Sequence, residues 1–427
     1  RPMHVAPRKV DVEASDKFGI IVACPAGDGE SDTTGRRWEQ RVELMRDVTI
    51  YFRNNPSVVF YEAGNQTITV DHMNEMINVR DTWDPYGGRL SGDRTPASDT
   101  KAICEYWSSM DVPADSSTVP VWDAEYSRSE SPRRVWDKYS PPSYGYVNIA
   151  APTNTIDEYP TIGFRMNSSE DLALVNVKKY NDRWIRRGGQ GRSSVMVGGA
   201  KIIFADSCSH GRMDDTELAR VTGAMDAARL PKETYYALQV VQNTDPQLHI
   251  LGHWTYPSNT VKKVYVISNT EQVKLVTYDT NGNVINDYGY GTRANNFEFS
   301  FDNVEWQPGK IKAIGYNGGV QVTQQEIATA GAPAAIRITP IAGPQGFKAD
   351  GSDVAMFDVE VVDSNGNRCP TDEARVDFTY SGQGEFLGGY NSGIEYSIYK
   401  DYLNTECGIN RVFVRSTRTA GSFTLTA

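Results

Sequence analysis

Three places in the sequence carry side chains that could do chemistry at the end of a predicted strand. Glu125 closes the apolar run "VPVWDAEY", Asn65 and Gln66 close "VVFYEAGNQ", and His4 precedes the first predicted helix. In a parallel barrel, functional groups lie at the carboxyl ends of the strands. These residues are therefore the candidates for a functional site.

Glu125 lies inside or just after a run that should be buried, so its carboxylate needs a partner or a purpose. One interpretation is a structural ion pair with Arg128 or Arg133. The other is glycoside hydrolysis, in which one carboxylate attacks the anomeric carbon and a second group protonates the leaving oxygen. A separation of about 5–5.5 Å between the two carboxyl groups gives retention of configuration. Position alone leaves both interpretations open.

The elements that must position these residues alternate between helix and strand up to about residue 245. A predicted helix with Trp38, Met45 and Phe52 on one face separates the apolar runs "IIVACPA" and "SVVFYEAGN". Strands that alternate with helices form parallel sheets. Residues 1–245 are therefore predicted to be an α/β domain.

After about residue 247 the pattern changes to the alternation of apolar and polar residues that is typical of half-buried strands. Asn-Gly pairs in "TNGN" and at Asn365-Gly366 predict hairpin turns. We therefore expect two all-β sandwiches, over residues 246–332 and 333–427. Both are expected to be immunoglobulin-like, although the Cys…Trp…Cys spacing of true immunoglobulin domains is absent.

Composition excludes several classes of function. The 427 residues carry a net charge of −11, with no long run of Lys or Arg, which argues against a nucleic-acid partner. No apolar run approaches the length of a membrane span. The five cysteines show no metal-type spacing, and at most one disulfide is expected, between Cys369 and Cys407. We expect no cofactor and no metal.

The motifs as a set resemble glycoside hydrolase family 2. "RNNPSVVFYEAGNQ" is similar to the family's acid/base signature, an apolar run that ends in Gly-Asn-Glu, and "VPVWDAEYS" to its nucleophile strand. "RPMHVAPRKVDVEASDKFGIIV", "VMVGGAKIIFAD" and "RVTGAMDAARLPKETYYALQ" resemble further family segments in the same order. The resemblance covers residues 1 to about 240 and implies a partial (β/α)8 TIM barrel. The family's N-terminal domains and first barrel strand have no counterpart, and the sequence lacks an initiator Met, so we expect a segment of a longer chain.

The resemblance implies roles for the candidate residues. Glu125 would be the nucleophile, Asn65 would bind the 2-hydroxyl of the sugar, and His4 would contact the substrate. Tyr106 would flank the nucleophile, although Trp107 competes for that position. Asp16 is expected to be structural. Together these roles imply an exo-acting retaining β-glycosidase.

Gln66 stands where the family has its acid/base Glu, and an amide cannot supply a proton. General acid–base catalysis contributes roughly 10²–10⁴-fold to a rate. Two explanations compete: an engineered Glu-to-Gln change that inactivates the enzyme, and natural loss in a carbohydrate-binding pseudoenzyme. We favour the first, because Glu125, Asn65 and His4 are retained.

The expected substrate is a plant or algal galactan, which makes the chain a β-galactosidase; a β-glucuronidase is the alternative. Arg128 suits a sulfate or carboxylate group on the sugar, with pairing to Glu130 as the structural alternative. Ile202 lies near the place where many family members have a Trp under the sugar. The resemblance further implies a periplasmic or secreted protein, and a homo-oligomer is possible.

Overall fold

The computed structural model describes residues 1–2, 5–27, 31–109, 117–127, 129–140, 168–185, 195–207, 220–390 and 397–427. The chain divides into two compact units. The first comprises Arg1–Ser127 and Asp182–Ile202, and the second comprises Arg128–Asn181 and Ile203–Ala427. This division does not test the domain boundaries that the sequence predicts at residues 245 and 332, so those boundaries stay predictions.

A six-stranded parallel sheet, curled into half a barrel, is the centre of the first unit. The strands lie in chain order, each beside the next. They are β1 (Val22–Pro25), β2 (Val58–Glu62), β3 (Leu90–Arg94), β4 (Tyr106–Ser109), β5 (Val121–Tyr126) and β6 (Met196–Lys201). The predicted α/β class and parallel sheet are confirmed.

The helix α1 (Lys9–Phe18) precedes β1, and three helices connect the first four strands of the sheet: α2 (Arg36–Phe52), α3 (Val70–Trp83) and α4 (Ser98–Lys101). The α2 helix buries Trp38, Met45, Val48 and Phe52, which recur at three- to four-residue spacing and pack against one face of the sheet. This is the face predicted from the sequence. The prediction held because the apolar spacing of α2 is regular over four turns.

The two faces of the sheet carry different side chains, since successive strand residues point to opposite sides. Tyr61 lies in the cluster with the helices, whereas Phe60, Tyr106 and Trp122 form a cluster on the other face. Glu62 follows Phe60 by two residues and Ser108 follows Tyr106 by two. The strands therefore place these polar groups beyond the aromatic cluster, at their carboxyl ends.

The second unit contains α5 (Ser169–Tyr180), which is followed by a π-helical turn (Asn181–Ile185), and α6 (Glu233–Gln242). Its first sandwich has two four-stranded sheets, in the orders β10-β9-β13-β14 and β11-β12-β8-β7. The strands are β7 (Leu248–Ile250), β8 (Val261–Ser268), β9 (Gln272–Tyr278), β10 (Val284–Tyr290), β11 (Thr292–Arg293), β12 (Glu298–Glu305), β13 (Lys310–Asn317) and β14 (Val320–Ala328).

The remaining strands form a four-stranded sheet of order β15-β16-β21-β19 and the two-stranded sheets β17-β20 and β18-β22. They are β15 (Pro333–Ile341), β16 (Val354–Asp363), β17 (Arg375–Asp377), β18 (Thr379–Gly382), β19 (Gly384–Gly389), β20 (Tyr402–Asn404), β21 (Ile409–Ser416) and β22 (Phe423–Thr426). Both predicted Asn-Gly turns form, with φ values of 85° at Gly282 and 80° at Gly366. These are left-handed conformations, which glycine adopts without steric cost.

Two further expectations can be compared with the structure. Cys369 and Cys407 are both free, so the single disulfide considered between them does not form. Their sulfurs instead contact backbone carbonyls, of Gly331 at 3.7 Å and Arg133 at 3.1 Å respectively. Within the described part of the chain, no helix has the length and apolar character needed to cross a membrane.

Candidate active site

Glu125 lies at the end of β5 and is only 4% exposed. Two guanidinium groups contact its Oε1: Arg94 through Nη1, and Arg1 through Nη1 at 3.2 Å. Of the partners expected from the sequence, Arg133 instead pairs with Asp226 and Glu406, so that pairing was wrong. Arg128 lies outside the described residues. Two positive charges therefore surround the carboxylate that was predicted to be the nucleophile.

Arg1 joins two carboxylates and an amide. Its Nε donates to Glu62 at 2.7 and 3.0 Å, and its Nη2 donates to Glu62 and to Oδ1 of Asn65, the latter at 2.8 Å. Burial opposes the charge of Arg1, but the carboxylates of Glu62 and Glu125 outweigh it and raise the pKa of Arg1. One guanidinium thus fixes the spacing of Glu62, Asn65 and Glu125.

Glu62 is buried at the end of β2. Both of its oxygens accept hydrogen bonds from Arg1, and Oε2 also accepts from Ser108 at 3.3 Å. The arrangement makes Glu62 an anchor for Arg1.

Arg94, the last residue of β3, connects the nucleophile position to the loop that carries Asn65. Its Nε donates to the backbone oxygen of Asn65 at 2.7 Å, and its Nη1 reaches Glu125. The preceding Asp93 accepts from the backbone nitrogen of Ile68 at 3.3 Å. A Cβ on Gly64 would lie 2.8 Å from Asp93 Oδ1, so glycine is needed for this close approach.

Two strands end in strained backbone beside the site. Thr95, directly after Arg94, has a φ of 53°, and Ser127, two residues after Glu125, has a φ of 61°. Positive φ is uncommon for residues other than glycine and costs of order 1–3 kcal/mol. The ladder between β5 and β6 also shifts register between Asp123 and Tyr126. Such irregularities cluster at functional sites, where they redirect side chains.

Tyr106 is fully buried on β4, with its ring 4.4 Å from that of Phe60. Burial raises its pKa well above the usual range, and the Glu62 carboxylate adds to the shift, so the hydroxyl stays a neutral donor. That hydroxyl has no hydrogen-bond partner among the described residues. Trp107, the neighbour that competed for this position, has its ring 3.8 Å from Lys101 Nζ. The role of Tyr106 beside the nucleophile stays a prediction.

The structure thus brings Glu125 and Asn65 together through Arg1 and Arg94, and Gln66 follows Asn65 as a half-buried residue. His4 and Arg128 lie outside the described residues, so their roles stay predictions. Asp16 is structural as expected: it accepts from Asn55 Nδ2 at 2.6 Å and from the Ser57 backbone at 2.8 Å.

Ile202 is buried directly after β6, and its backbone nitrogen donates to Tyr126 at 3.1 Å. It therefore lies beside the end of the strand that carries Glu125. Whether it occupies the place of a sugar-stacking Trp stays a prediction.

Sequence reasoning missed Arg1, Glu62 and Arg94. A signal existed for Glu62, since it is a carboxylate at the end of the apolar run "VVFYE", as Glu125 is in its own strand. Arg94 ends "LSGDR", which is too polar to read as a strand. Within the described ranges, no three His, Cys, Asp or Glu side chains lie close enough together to hold a metal ion.

The chain is similar to several known proteins. Residues 338–427 match the family model "Glycoside hydrolase family 2 C-terminal domain 5", and residues 259–323 match a domain of unknown function (DUF4982). A protein of Formosa agariphila called "Beta-glucuronidase" is 40% identical over 434 residues, which are 99% of this chain and 41% of that protein. "Beta-galactosidase BoGH2A" of Bacteroides ovatus is 32% identical over 185 residues, which are 42% of this chain and 20% of that protein.

A solved structure, described as a β-glucuronidase from glycoside hydrolase family 2, superposes with a TM-score of 0.86 at 38% identity. The superposition covers 99% of this chain and 42% of the chain in the solved structure. The chain therefore spans less than half the length of these relatives. The motifs, the half-barrel and the matched domain make the chain a homologue of glycoside hydrolase family 2 proteins, with that family's C-terminal domain 5 at residues 338–427.

Proposed function

We propose that the chain carries the active site of a retaining β-glycosidase in which Glu125 is the nucleophile. The observation that carries the proposal is the position of Glu125, at the end of a buried parallel strand between Arg1 and Arg94. The similarity to family 2 glycosidases supports the same role.

The proposed chemistry follows from the positions of these groups. Glu125 attacks the anomeric carbon and forms a covalent glycosyl-enzyme, which water then hydrolyses with retention of configuration. Arg1 donates a hydrogen bond to Oδ1 of Asn65, and Nδ2 is the donating end of that amide. That end suits a hydrogen bond to the 2-hydroxyl of the sugar. Such bonds strengthen in the transition state.

For the sugar, we place a β-glucuronide before a β-galactoside, which reverses the order expected from the sequence. The two relatives that match 99% of the chain at 40% and 38% identity are both described as β-glucuronidases. The β-galactosidase of B. ovatus, which matches 42% of the chain, favours the second candidate. Arg128 stays a candidate for contacting a carboxylate or sulfate on the substrate.

Position 66 has no acid in this sequence, and the comparisons give no support to an engineered, inactivated variant. A glycosidase that lacks its acid still hydrolyses substrates whose leaving group needs no proton, so the proposal allows catalysis on activated glycosides. A carbohydrate-binding pseudoenzyme is the outcome if even these are not hydrolysed.

Three further properties are proposed from the resemblance alone. The protein is exported to the periplasm or secreted, its two C-terminal β regions are immunoglobulin-like modules, and its substrate is a plant or algal polysaccharide or an oligosaccharide of one. A homo-oligomer is compatible with these properties.

Activated aryl glycosides test the catalytic proposal in the complete protein. Dinitrophenyl β-glucuronide should be hydrolysed faster than the matching galactoside, and Glu125→Gly should abolish both reactions. Azide should then rescue Glu125→Gly and yield the α-glycosyl azide, because azide replaces the nucleophile on its own face of the sugar. Hydrolysis that survives in Glu125→Gly without azide would show that another residue attacks.

A further inference from the structure

A cleft in the second unit, separate from the parallel sheet, has a volume of about 530 Å³. It is lined by residues of α6, of the first sandwich and of the last 100 residues, among them Trp136, Tyr236, His253 and Arg368. Ligand sites in proteins typically have 300–1,000 Å³, with aromatic walls and a few polar groups that fix orientation. The cleft has this size and this mixture.

The carboxylates that line the cleft are already paired. Their partners lie at 2.7–2.9 Å, in the pairs Glu233 with His249, Glu326 with Lys312, Asp358 with Arg411, and Glu360 with Arg337. Arg133, also in the lining, pairs with Asp226 and Glu406. Most of the charge around the cleft is therefore locally compensated.

Arg368 differs from these groups. It is half-buried in the cleft wall, and the described part of the chain gives its guanidinium no carboxylate within ion-pair distance. A guanidinium offers five N–H donors in a planar fork that matches a carboxylate or a sulfate. Arg368 therefore gives the cleft a positive charge that no carboxylate of the described residues pairs with.

His253 adds a second group without a partner. It is 5% exposed, its Nδ1 accepts from the backbone nitrogen of Thr255 at 3.0 Å, and its ring stacks on Tyr256 at 4.3 Å. Burial lowers its pKa to about 3, so the ring is neutral and the proton lies on Nε2. That Nε2 has no hydrogen-bond partner among the described residues. A buried donor without a partner costs roughly 1–3 kcal/mol, which a ligand oxygen would recover.

Aromatic side chains held by their neighbours form part of the cleft wall. Tyr236 stacks on His249, with centroids 3.9 Å apart and planes at 13°, and the pair is held by the bond of His249 to Glu233. Trp136 is fixed by its Nε1 bond to Pro370 at 2.6 Å. A rigid aromatic face beside unpaired donors suits a pyranose that carries an acidic group.

We propose that this cleft is a second, non-catalytic binding site for an anionic carbohydrate, in which Arg368 binds a carboxylate or sulfate and His253 donates to a neighbouring oxygen. Binding of the anion follows from the cleft itself, whereas the choice of a carbohydrate rests on the proposed function. Such a site would hold an acidic polysaccharide on the second unit without taking part in hydrolysis.

Isothermal titration of the complete protein tests the proposal, with Glu125→Gln as the parent so that ligand is not consumed. The probes are a tetrasaccharide of β-linked glucuronate and a neutral β-linked tetrasaccharide of the same length. Arg368→Ala should remove one binding site per chain for the acidic probe, or lower its affinity at least tenfold, about 1.4 kcal/mol. Arg368→Lys, which keeps the charge but loses the fork, should give an intermediate affinity.

The matched control is Arg415→Ala, which removes an arginine of β21 whose partner is Glu385. It should leave stoichiometry and affinity unchanged. The proposal is overturned if Arg368→Ala binds like this control, or if the neutral probe occupies the same site equally well. Inorganic sulfate that binds as tightly as the tetrasaccharide would refute the carbohydrate while leaving an anion site.

This readout is independent of catalysis. If the complete protein hydrolyses no glycoside, the loss of one site in Arg368→Ala would still support the cleft. If it hydrolyses aryl glycosides, Arg368→Ala should keep kcat/KM within about twofold, since the cleft is not part of the catalytic machinery.

Discussion

Arg1 is the residue on which the geometry of the candidate active site depends, because it contacts Glu62, Asn65 and Glu125 at once. A long side chain that bonds three groups needs an anchor, and Glu62 supplies it through both of its oxygens. A buried ion pair contributes mainly through geometry, since desolvation of the two charges offsets much of their attraction. Glu62 is therefore a positioning residue.

Glu62→Gln should lower kcat roughly tenfold or more while changing KM less, because Arg1 loses its anchor and Glu125 its alignment. Steady-state kinetics on an activated aryl glycoside measures both effects.

Glu105→Gln is the control, since it breaks an Arg–Glu pair, with Arg80 of α3, at the amino end of β4 and away from the carboxyl ends of the strands. The positioning role would be refuted if both variants lost activity equally, or if Glu62→Gln changed KM as much as kcat.

At the scale of elements, the connection from β2 to α3 determines where the candidate site residues lie, because it carries Gly64, Asn65 and Gln66 in three successive positions. Asp93 and Arg94 of β3 bond this connection from the neighbouring strand. The connection is thus held by the sheet itself, which suits a site that must keep its groups in place.

Gly64→Ala should reduce activity at least tenfold with a small fall in Tm. The new methyl would lie 2.8 Å from both Asp93 Oδ1 and Ile68 Cγ2, so the connection must shift and carry Asn65 with it. Parallel measurements of kcat/KM and thermal unfolding separate the two effects. Gly88→Ala is an informative control: its φ of 63° strains the backbone, but no atom lies within 4 Å of the new methyl. Equal loss of activity in the two variants would contradict a specific role for this approach.

Element types were predictable where their signals are local. The buried face of α2 followed from apolar spacing, and the turns at Gly282 and Gly366 followed from Asn-Gly pairs. The strand β3 was missed because "LSGDR" has neither an apolar run nor alternation. Its burial comes from neighbours on both sides, β2 and β4, and not from its own sequence.

For the whole molecule, a buried charge cluster links the loop residue Asp137 and Glu170 of α5 to the first sandwich. Lys262 of β8 lies 3.2 Å from Glu170 and 3.0 Å from the hydroxyl of Tyr256, and it also pairs with Asp137. Burial raises the pKa of Glu170 to about 8, even though Lys262 opposes the shift. The cluster therefore makes the stability of the fold depend on pH.

In the unfolded chain Glu170 ionises near 4.5, its ordinary value, whereas the folded state keeps the proton to about pH 8. The unfolded state binds fewer protons than the folded state across this window. The free energy of unfolding that depends on Glu170 therefore falls as pH rises from 4.5 to 8. Glu170→Gln is neutral throughout and should remove this contribution, up to about 1.4 kcal/mol per pH unit. Urea unfolding of the parent and the variant between pH 5.5 and 8 measures the difference.

Asp171→Asn serves as the control for Glu170, since it changes an exposed carboxylate one position further along the same helix. Its free energy of unfolding should follow the slope of the parent. Parallel curves for the parent and Glu170→Gln would show that Glu170 is ionised in the folded state.

The sequence by itself determined the order of α/β and β regions, the family resemblance, and Glu125 and Asn65 as candidates, because these depend on periodicity and on motifs within about ten residues. Only the tertiary structure decided which charges surround Glu125. Arg1, Glu62 and Arg94 come from separate strands and segments, and their proximity exists only because parallel strands bring their carboxyl ends together. The cleft at Arg368 likewise has no motif, since residues more than 200 positions apart in the chain line it.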